Sequence, residues 1–390
     1  MNARQRAIIV AARRTAVGRV GGLHRHVPLE QLAAPVIRAV LSDAAISTSD
    51  ADALIMGNAA GPGGNPARVA LLAAGLPNTT PAFTVDAQCA SGLEAIANGA
   101  RLIETGAAHI VVAGGAESPS TAPWRVAKPR SLYGDLPAFY HEAPFAPDET
   151  GNPTMIEGAE NVARTCGIAR EEQDAFALDS HRRASSVQAR AIAADEIVSL
   201  HGTAQEDEGV RPQLSPRLLA RMPALIKGGT VTAGNSCSIS DGGAFVVIMS
   251  ENAFHARGHK RGLRVASCAA AGNDPRLPGL AAVPAVRQLF ERQPETAARI
   301  ASIAIIEAFA SQVLGTIRLL KLDPALVNPV GGALAIGHPY AASGAILAVQ
   351  LFSRFVREPR EAGRAEGAAS LAIAAAAGGI GSAILFQSFG

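Results

Sequence analysis

The chain resembles itself, and that restricts its fold more than any other feature. DALIMGNA (52–59) and SIAIIEAF (302–309) match in register, and SGLEAIANGARLI (91–103) superposes on SGAILAVQLFSRFV (343–356). AAHIVVAGGAES (107–118) and AASLAIAAAAGGIGS (368–382) each run an apolar strand into a glycine pair, and RAIIVAARRTAVG (6–18) pairs more loosely with GLRVASCAAAG (262–272). Repetition at this scale points to two similar βαβαβ-type halves. Their strands are nearly continuous apolar runs, as in sheets covered on both faces, so each half is expected to carry a mostly parallel sheet in an α/β fold. At 390 residues the chain is also long for one hydrophobic core.

Between the halves the composition changes. Residues 119–227 are rich in aromatics, prolines and charges, then turn helical in EEQDAFALDSHRRASSVQARAIAADE (171–196). This segment reads as an inserted loop domain that covers one face. GGTVTAGNSCSISDGGAFVVIMSE (228–251) returns to strand-rich character. The expected organisation is a first half of residues 1–118 plus 228–255, an inserted lid of residues 119–227, and a second half of residues 256–390.

Composition removes several function classes. Hydrophobic residues make up 48% and aromatics 4%, which suits close packing of helices on strands. The net charge of +2 comes without a basic block, so nothing favours nucleic acid. Four scattered cysteines without a CxxC pair speak against a zinc site or disulfide framework and suit a reducing cytoplasm. Residues 367–390 carry no charge, but Gly378, Gly379 and Gly381 break them into two strands about a turn and argue against a membrane span.

The chemistry concentrates at two corners. In DAQCASG (86–92), Cys89 stands between an apolar strand and a helix. The positive end of the helix is expected to lower its pKa, and small neighbours leave room for a bulky partner. The plainer alternative, an inert buried cysteine, stays open. At the equivalent corner of the second half, GHPYAASG places His338 before its helix. If the halves pack about a pseudo-twofold axis, both side chains enter one cleft and form a nucleophile–base pair. A histidine satisfied by its loop is the alternative there. His24, His26, His255 and His259 sit in polar contexts and look like surface residues.

With RTAVGRVGG, DAQCASGLEAI, VVAGGAES, GGTVTAGNSCSISDGGA, IEAFASQ, VNPVGGALAIGHPYAASGA and GGIGSA in this order, the sequence resembles the thiolase superfamily over nearly its full length. The resemblance implies a five-layer α-β-α-β-α fold and an acyltransferase acting on coenzyme A thioesters, with no further cofactor. It casts Cys89 as the nucleophile that accepts the acyl group and His338 as the base that takes its proton. The backbone N–H groups of Cys89 and Ala377 match an oxyanion hole. Met155, Phe309 and Cys237 match positions around the acyl pocket and pantetheine tunnel. The family also implies a homodimer or homotetramer.

Three positions depart from the family. Ala375 stands where a second cysteine moves the α-proton of acetyl-CoA, and Ile306 stands where an asparagine holds a water in the histidine's oxyanion hole. Cys237 replaces a serine. Acylation therefore looks intact while the carbon–carbon step looks altered. Three readings follow: a thiolase forming or cleaving β-ketoacyl-CoA, an acyltransferase with a decarboxylating malonyl thioester or an amine or alcohol acceptor, and a non-catalytic subunit binding acyl-CoA. The sequence leaves open whether the carrier is CoA or an acyl-carrier protein.

Overall fold

A computed structural model describes residues 5–129, 131, 133–134, 136–140, 142–200, 206–357 and 367–390. The first half runs β1 (Ala7–Arg14), β2 (Gly18–Arg19), α1 (Leu29–Asp43), β3 (Ala53–Gly57), α2 (Pro66–Ala73), β4 (Ala82–Val85), α3 (Ser91–Glu104) and β5 (Ile110–Glu117). An antiparallel ribbon, β6 (Arg125–Ala127) and β7 (Ala138–Tyr140), opens the intervening segment. It continues through α4 (Met155–Cys166), α5 (Arg170–Ala184), α6 (Val187–Glu196) and α7 (Pro216–Ala220). The Thr154–Glu157 capping box starts α4, and left-handed Gly167 ends it. β8 (Ser240–Ser250) and α8 (Glu251–Ala256) return to the first sheet. The second half comprises β9 (Gly262–Gly272), α9 (Ala282–Arg292), α10 (Pro294–Ala297), β10 (Ile300–Ile305), α11 (Ala310–Leu320), α12 (Ala333–Ile336), α13 (Tyr340–Phe352), β11 (Ala369–Ala376) and β12 (Ile380–Phe389).

The strand order is β4-β3-β5-β8-β1-β9-β12-β11-β10. It is symmetric about the β1–β9 contact once β3 is matched with β10, β5 with β11 and β8 with β12; the sequence repeat pairs β3 with β10, β5 with β11 and β1 with β9, and the structure adds the match of β8 with β12. The expectation of mostly parallel sheets does not hold. Among the described residues only β3–β4, β3–β5 and β10–β11 pair parallel as strands, whereas β5–β8, β8–β1, β11–β12, β12–β9 and β1–β9 are antiparallel. The cause is the returning strand of each half. β8 inserts between β5 and β1, and β12 between β11 and β9, so each reverses direction against both neighbours.

Apolar residues fall into three main clusters, which define five layers. The central cluster holds α3 and α13 between the sheets, with Leu93, Ile96, Ile346 and Val349 against Val111, Ala113, Ala372 and Ala374. One outer cluster packs α1 and α2 on the first sheet, and the other packs α9 and α11 on the second. Strands buried on both faces need apolar residues at every position, which is why their sequences do not alternate. A bulge between Ile9 and Ala11 shifts the phase of β1, so that Ala7, Ile9 and Ala12 face the central layer.

Glycines let the central helices touch. A Cβ at Gly92 would collide with the Ala341 carbonyl oxygen, and one at Gly344 would come within 2.7 Å of the Leu93 nitrogen. The Ser-Gly pairs recognised in the repeat are therefore the crossing point of α3 and α13. Residues 369–389 form the two strands expected around Gly378 and Gly379, and among the described residues no helix is long and apolar enough to cross a membrane. One surface assignment fails. His24 is buried, with Nε2 2.9 Å from the Ala16 carbonyl oxygen.

Candidate active site

Cys89 sits on a strained corner between β4 and α3. Gln88 holds a left-handed φ of +53°, uncommon for a residue with a side chain. Ser91 staples the turn: its Oγ accepts from the Ala87 N–H at 2.8 Å and donates to the Gln88 carbonyl at 2.5 Å. The corner presents the thiol beneath the second half, 9% exposed.

His338 occupies the matching corner between α12 and α13. Gly337 adopts φ +108°, where a Cβ would strike Ser240 Oγ, so the loop lies flush on the start of β8. The His338 N–H donates to the Ser238 carbonyl at 2.9 Å. Its ring is fixed from both sides, with Nδ1 2.6 Å from Ser343 Oγ and Nε2 3.1 Å from Cys89 Sγ. With Cys89 donating its S–H to Nε2, Nδ1 carries the ring proton and donates to Ser343.

Electrostatics correct the expected thiolate. Burial, then the nearby Glu117 carboxylate, pushes the Cys89 thiol up to about 12, although the N–H groups of Cys89 and Ala377 lie against the sulfur and pull the other way. Burial pushes His338 down to about 4. A helix terminus does not compensate for removing the charge from water. The resting pair is neutral thiol and neutral imidazole, so a thiolate here can form only as the proton passes to Nε2. Glu117 is itself buried, and burial raises it to about 7. It accepts from Asn58 Nδ2 at 2.5 Å and from the N–H groups of Ala59, Ala60 and Ala341, so it ties the loop after β3 to the start of α13.

A cavity of about 470 Å³ opens onto this pair, and Cys89, His338, Met155, Cys237 and Phe309 all line it. Ser236 bridges to Phe309 and Ile239 to His338, which holds Cys237 between them. The Cys237 thiol is pushed up by burial and by Cys89. Ala377 contributes its backbone N–H from the turn after β11. Ile306 is buried in the central cluster with Cys89, while Ala375 belongs to the outer cluster of the second sheet. His181 and Arg211 also line the cavity, and the Arg211 N–H donates to His181 Nδ1 at 3.1 Å.

Ser343 and Tyr340 were not singled out from sequence. Ser343 was visible only as the repeat partner of Ser91: in the first half this serine staples the cysteine corner, in the second it orients the histidine. Tyr340 had no signal beyond its place in GHPYAASG. Its ring stands edge-on to His338 with centroids 5.7 Å apart, and its φ is +25°.

Comparison with known proteins agrees across the whole chain. The profile of the thiolase N-terminal domain matches residues 7–252, and that of the thiolase C-terminal domain matches residues 226–388. A relative from Staphylococcus aureus (strain MRSA252), provisionally named acetyl-CoA C-acetyltransferase VraB, is 40% identical over 387 residues, covering 98% of this chain and 99% of its own. The crystal structure of the Bacillus anthracis acetyl-CoA acetyltransferase superposes with a TM-score of 0.91 at 31% identity, covering 100% of both chains. Human mitochondrial 3-ketoacyl-CoA thiolase in complex with CoA superposes with a TM-score of 0.90 at 32% identity, covering 99% of this chain and 98% of that one.

Proposed function

Because the chain belongs to the thiolase family and is an acyltransferase of the thiolase type, we propose that it carries the acyl group of a CoA thioester on Cys89. The observation behind this reading is the 3.1 Å contact of Cys89 Sγ with His338 Nε2 at the head of a substrate-sized cavity. His338 takes the thiol proton as sulfur attacks the thioester carbonyl. The N–H groups of Cys89 and Ala377 take the developing oxyanion, worth roughly 3–4 kcal/mol per donor by analogy with protease oxyanion holes. Collapse expels the CoA thiolate, which His338 reprotonates. Met155 and Phe309 flank the acyl and pantetheine portions, with Cys237 between Phe309 and His338. The chemistry uses the thioester as substrate and no cofactor.

The acyl-enzyme then passes its acyl group to a carbon acceptor, making β-ketoacyl-CoA, or is formed in reverse by thiolysis. A second reading rests on Ala375 and Ile306. Neither side chain can move a proton or hold a water, which favours a malonyl thioester that decarboxylates, or an amine or alcohol. The edge strand β4 carries Phe83 at 54% exposure and supports a homodimer or homotetramer, and the four free thiols suit the cytoplasm.

The test mixes the protein with acetyl-CoA and with acetoacetyl-CoA. Peptide mapping should find an acetyl group on Cys89, and product analysis then separates condensation from other acceptors. An acetyl group on any other residue, or none, rejects the reading.

A further inference from the structure

A second cavity of about 390 Å³ adjoins the first and shares one side chain with it, Tyr340. Trp124, just ahead of β6, and Phe139 and Tyr140 of β7, together with Pro119 and Pro123, give it a mainly apolar wall. Trp124 and Phe139 meet edge to face with ring centroids 5.7 Å apart. Among the described residues the one charged lining residue is Arg125, whose Nη2 donates to the Ala59 carbonyl at 3.4 Å. Trp124 is 85% and Phe139 66% exposed, a large aromatic surface left to water beside a reaction site. Tyr340 is the partition. It lines both cavities, with Cys89 and Cys237 on the wall of the first and the ribbon on that of the second, and burial raises its phenol. Its positive φ sets it apart from an ordinary helix start.

We propose that this aromatic cavity binds the apolar tail of the acyl group, which turns past Tyr340 while the reacting carbonyl stays at Cys89. The inference rests on the acyl-transfer reading above and extends it to the substrate class: acyl chains longer than those the reaction cavity holds. Each methylene buried there should raise kcat/KM by about fourfold until the cavity is full.

Trp124 is the chain's only tryptophan, so its fluorescence reports the cavity without catalysis. Dodecanoyl-CoA should shift its emission to the blue, and acetyl-CoA should not. For thiolysis of 3-oxoacyl-CoA, Trp124→Ala and Phe139→Ala should each lower the dodecanoyl-to-butanoyl ratio of kcat/KM at least tenfold. Both side chains are exposed, so the variants are expected to fold. An emission shift without any Cys89 acyl adduct supports the tail site and rejects the acyl-transfer reading. Acylated Cys89 with no emission shift from dodecanoyl-CoA overturns the tail site. A ratio unchanged within twofold overturns it too, as does a variant that changes only the oligomeric mass, which would assign the aromatic surface to a second copy of the chain.

Discussion

Cys89 Sγ and His338 Nε2 lie 3.1 Å apart although 249 positions separate them in the chain. Each sits on a left-handed loop ahead of a central helix, and the helices cross where glycines face backbone. The pair is thus a product of the duplication, one member from each repeat. Burial keeps both groups uncharged at rest.

Removing the partner of His338 tests its orientation. In Ser343→Ala, Nδ1–H loses its acceptor in the transition state, where the ring is cationic. Hydrogen bonds to charged groups are worth roughly 1.5–3 kcal/mol, so acylation should slow by about 10- to 150-fold. The loss should appear in kcat more than in KM, with partial rescue by Ser343→Thr. An equal rise in KM alone would reassign Ser343 to substrate binding.

The pH dependence follows from the two shifts. His338 must be unprotonated to accept the thiol proton. With its pKa lowered from 6.5 to about 4, acylation should persist below pH 6 and fail only near pH 4. Ultraviolet titration of wild type against Cys89→Ala should show no Cys89 thiolate at pH 7, because that group is raised to about 12. A thiolate signal with a midpoint below pH 7 would mean an ion pair instead. Folding stability has the matching sign. Unfolded histidine binds its proton near pH 6.5, whereas buried His338 and His181 bind theirs near pH 4. The histidines' contribution to stability should therefore fall as pH drops through that window, while buried Glu117, raised to about 7, contributes with the opposite sign, so the effect is read as the change between pH 7 and 5 in the difference of denaturant midpoints of wild type and His338→Ala.

Much of this was legible in the sequence because the fold is made of one pattern used twice. The repeat implied the matched strands, and it implied that two corners share a cleft. The antiparallel character was not legible. Apolar runs mark strands buried on both faces but carry no sign of direction, and β8 and β12 look like any other buried strand. The direction of the Cys89 pKa shift is not legible in the sequence for a related reason. The helix dipole is visible in a sequence, but the burial that outweighs it depends on the opposite half. His24 failed likewise, since its polar neighbours HRH gave no hint of the Ala16 carbonyl beneath it.

The helix crossing has little tolerance. Gly92→Ala places a methyl on the Ala341 carbonyl oxygen, a backbone atom that cannot swing away. Overpacking of this kind costs about 1–3 kcal/mol, and chemical denaturation should show a loss in that range. A variant as stable as wild type would mean that α3 and α13 can separate.

Ala375→Cys addresses the carbon–carbon step. It supplies a proton acceptor two residues before Ala377, whose N–H lies against the Cys89 sulfur. Condensation or thiolysis should rise, within the roughly 10²- to 10⁴-fold that a positioned base contributes, while the rate of Cys89 acylation stays level. Buried Ile306 limits the gain. If the unmodified protein already thiolyses 3-oxoacyl-CoA at ordinary enzyme rates, Ala375 does not disable proton transfer.

The most direct measurement is a rapid-quench time course of acetyl transfer from acetyl-CoA, read by intact mass in wild type, Cys89→Ala and His338→Ala. Wild type should gain one acetyl group, mapped to Cys89. Cys89→Ala should gain none, and His338→Ala should acquire it at least 10²-fold more slowly. Acetylation of Cys89 at an undiminished rate in His338→Ala would contradict the proposed proton transfer across the 3.1 Å contact.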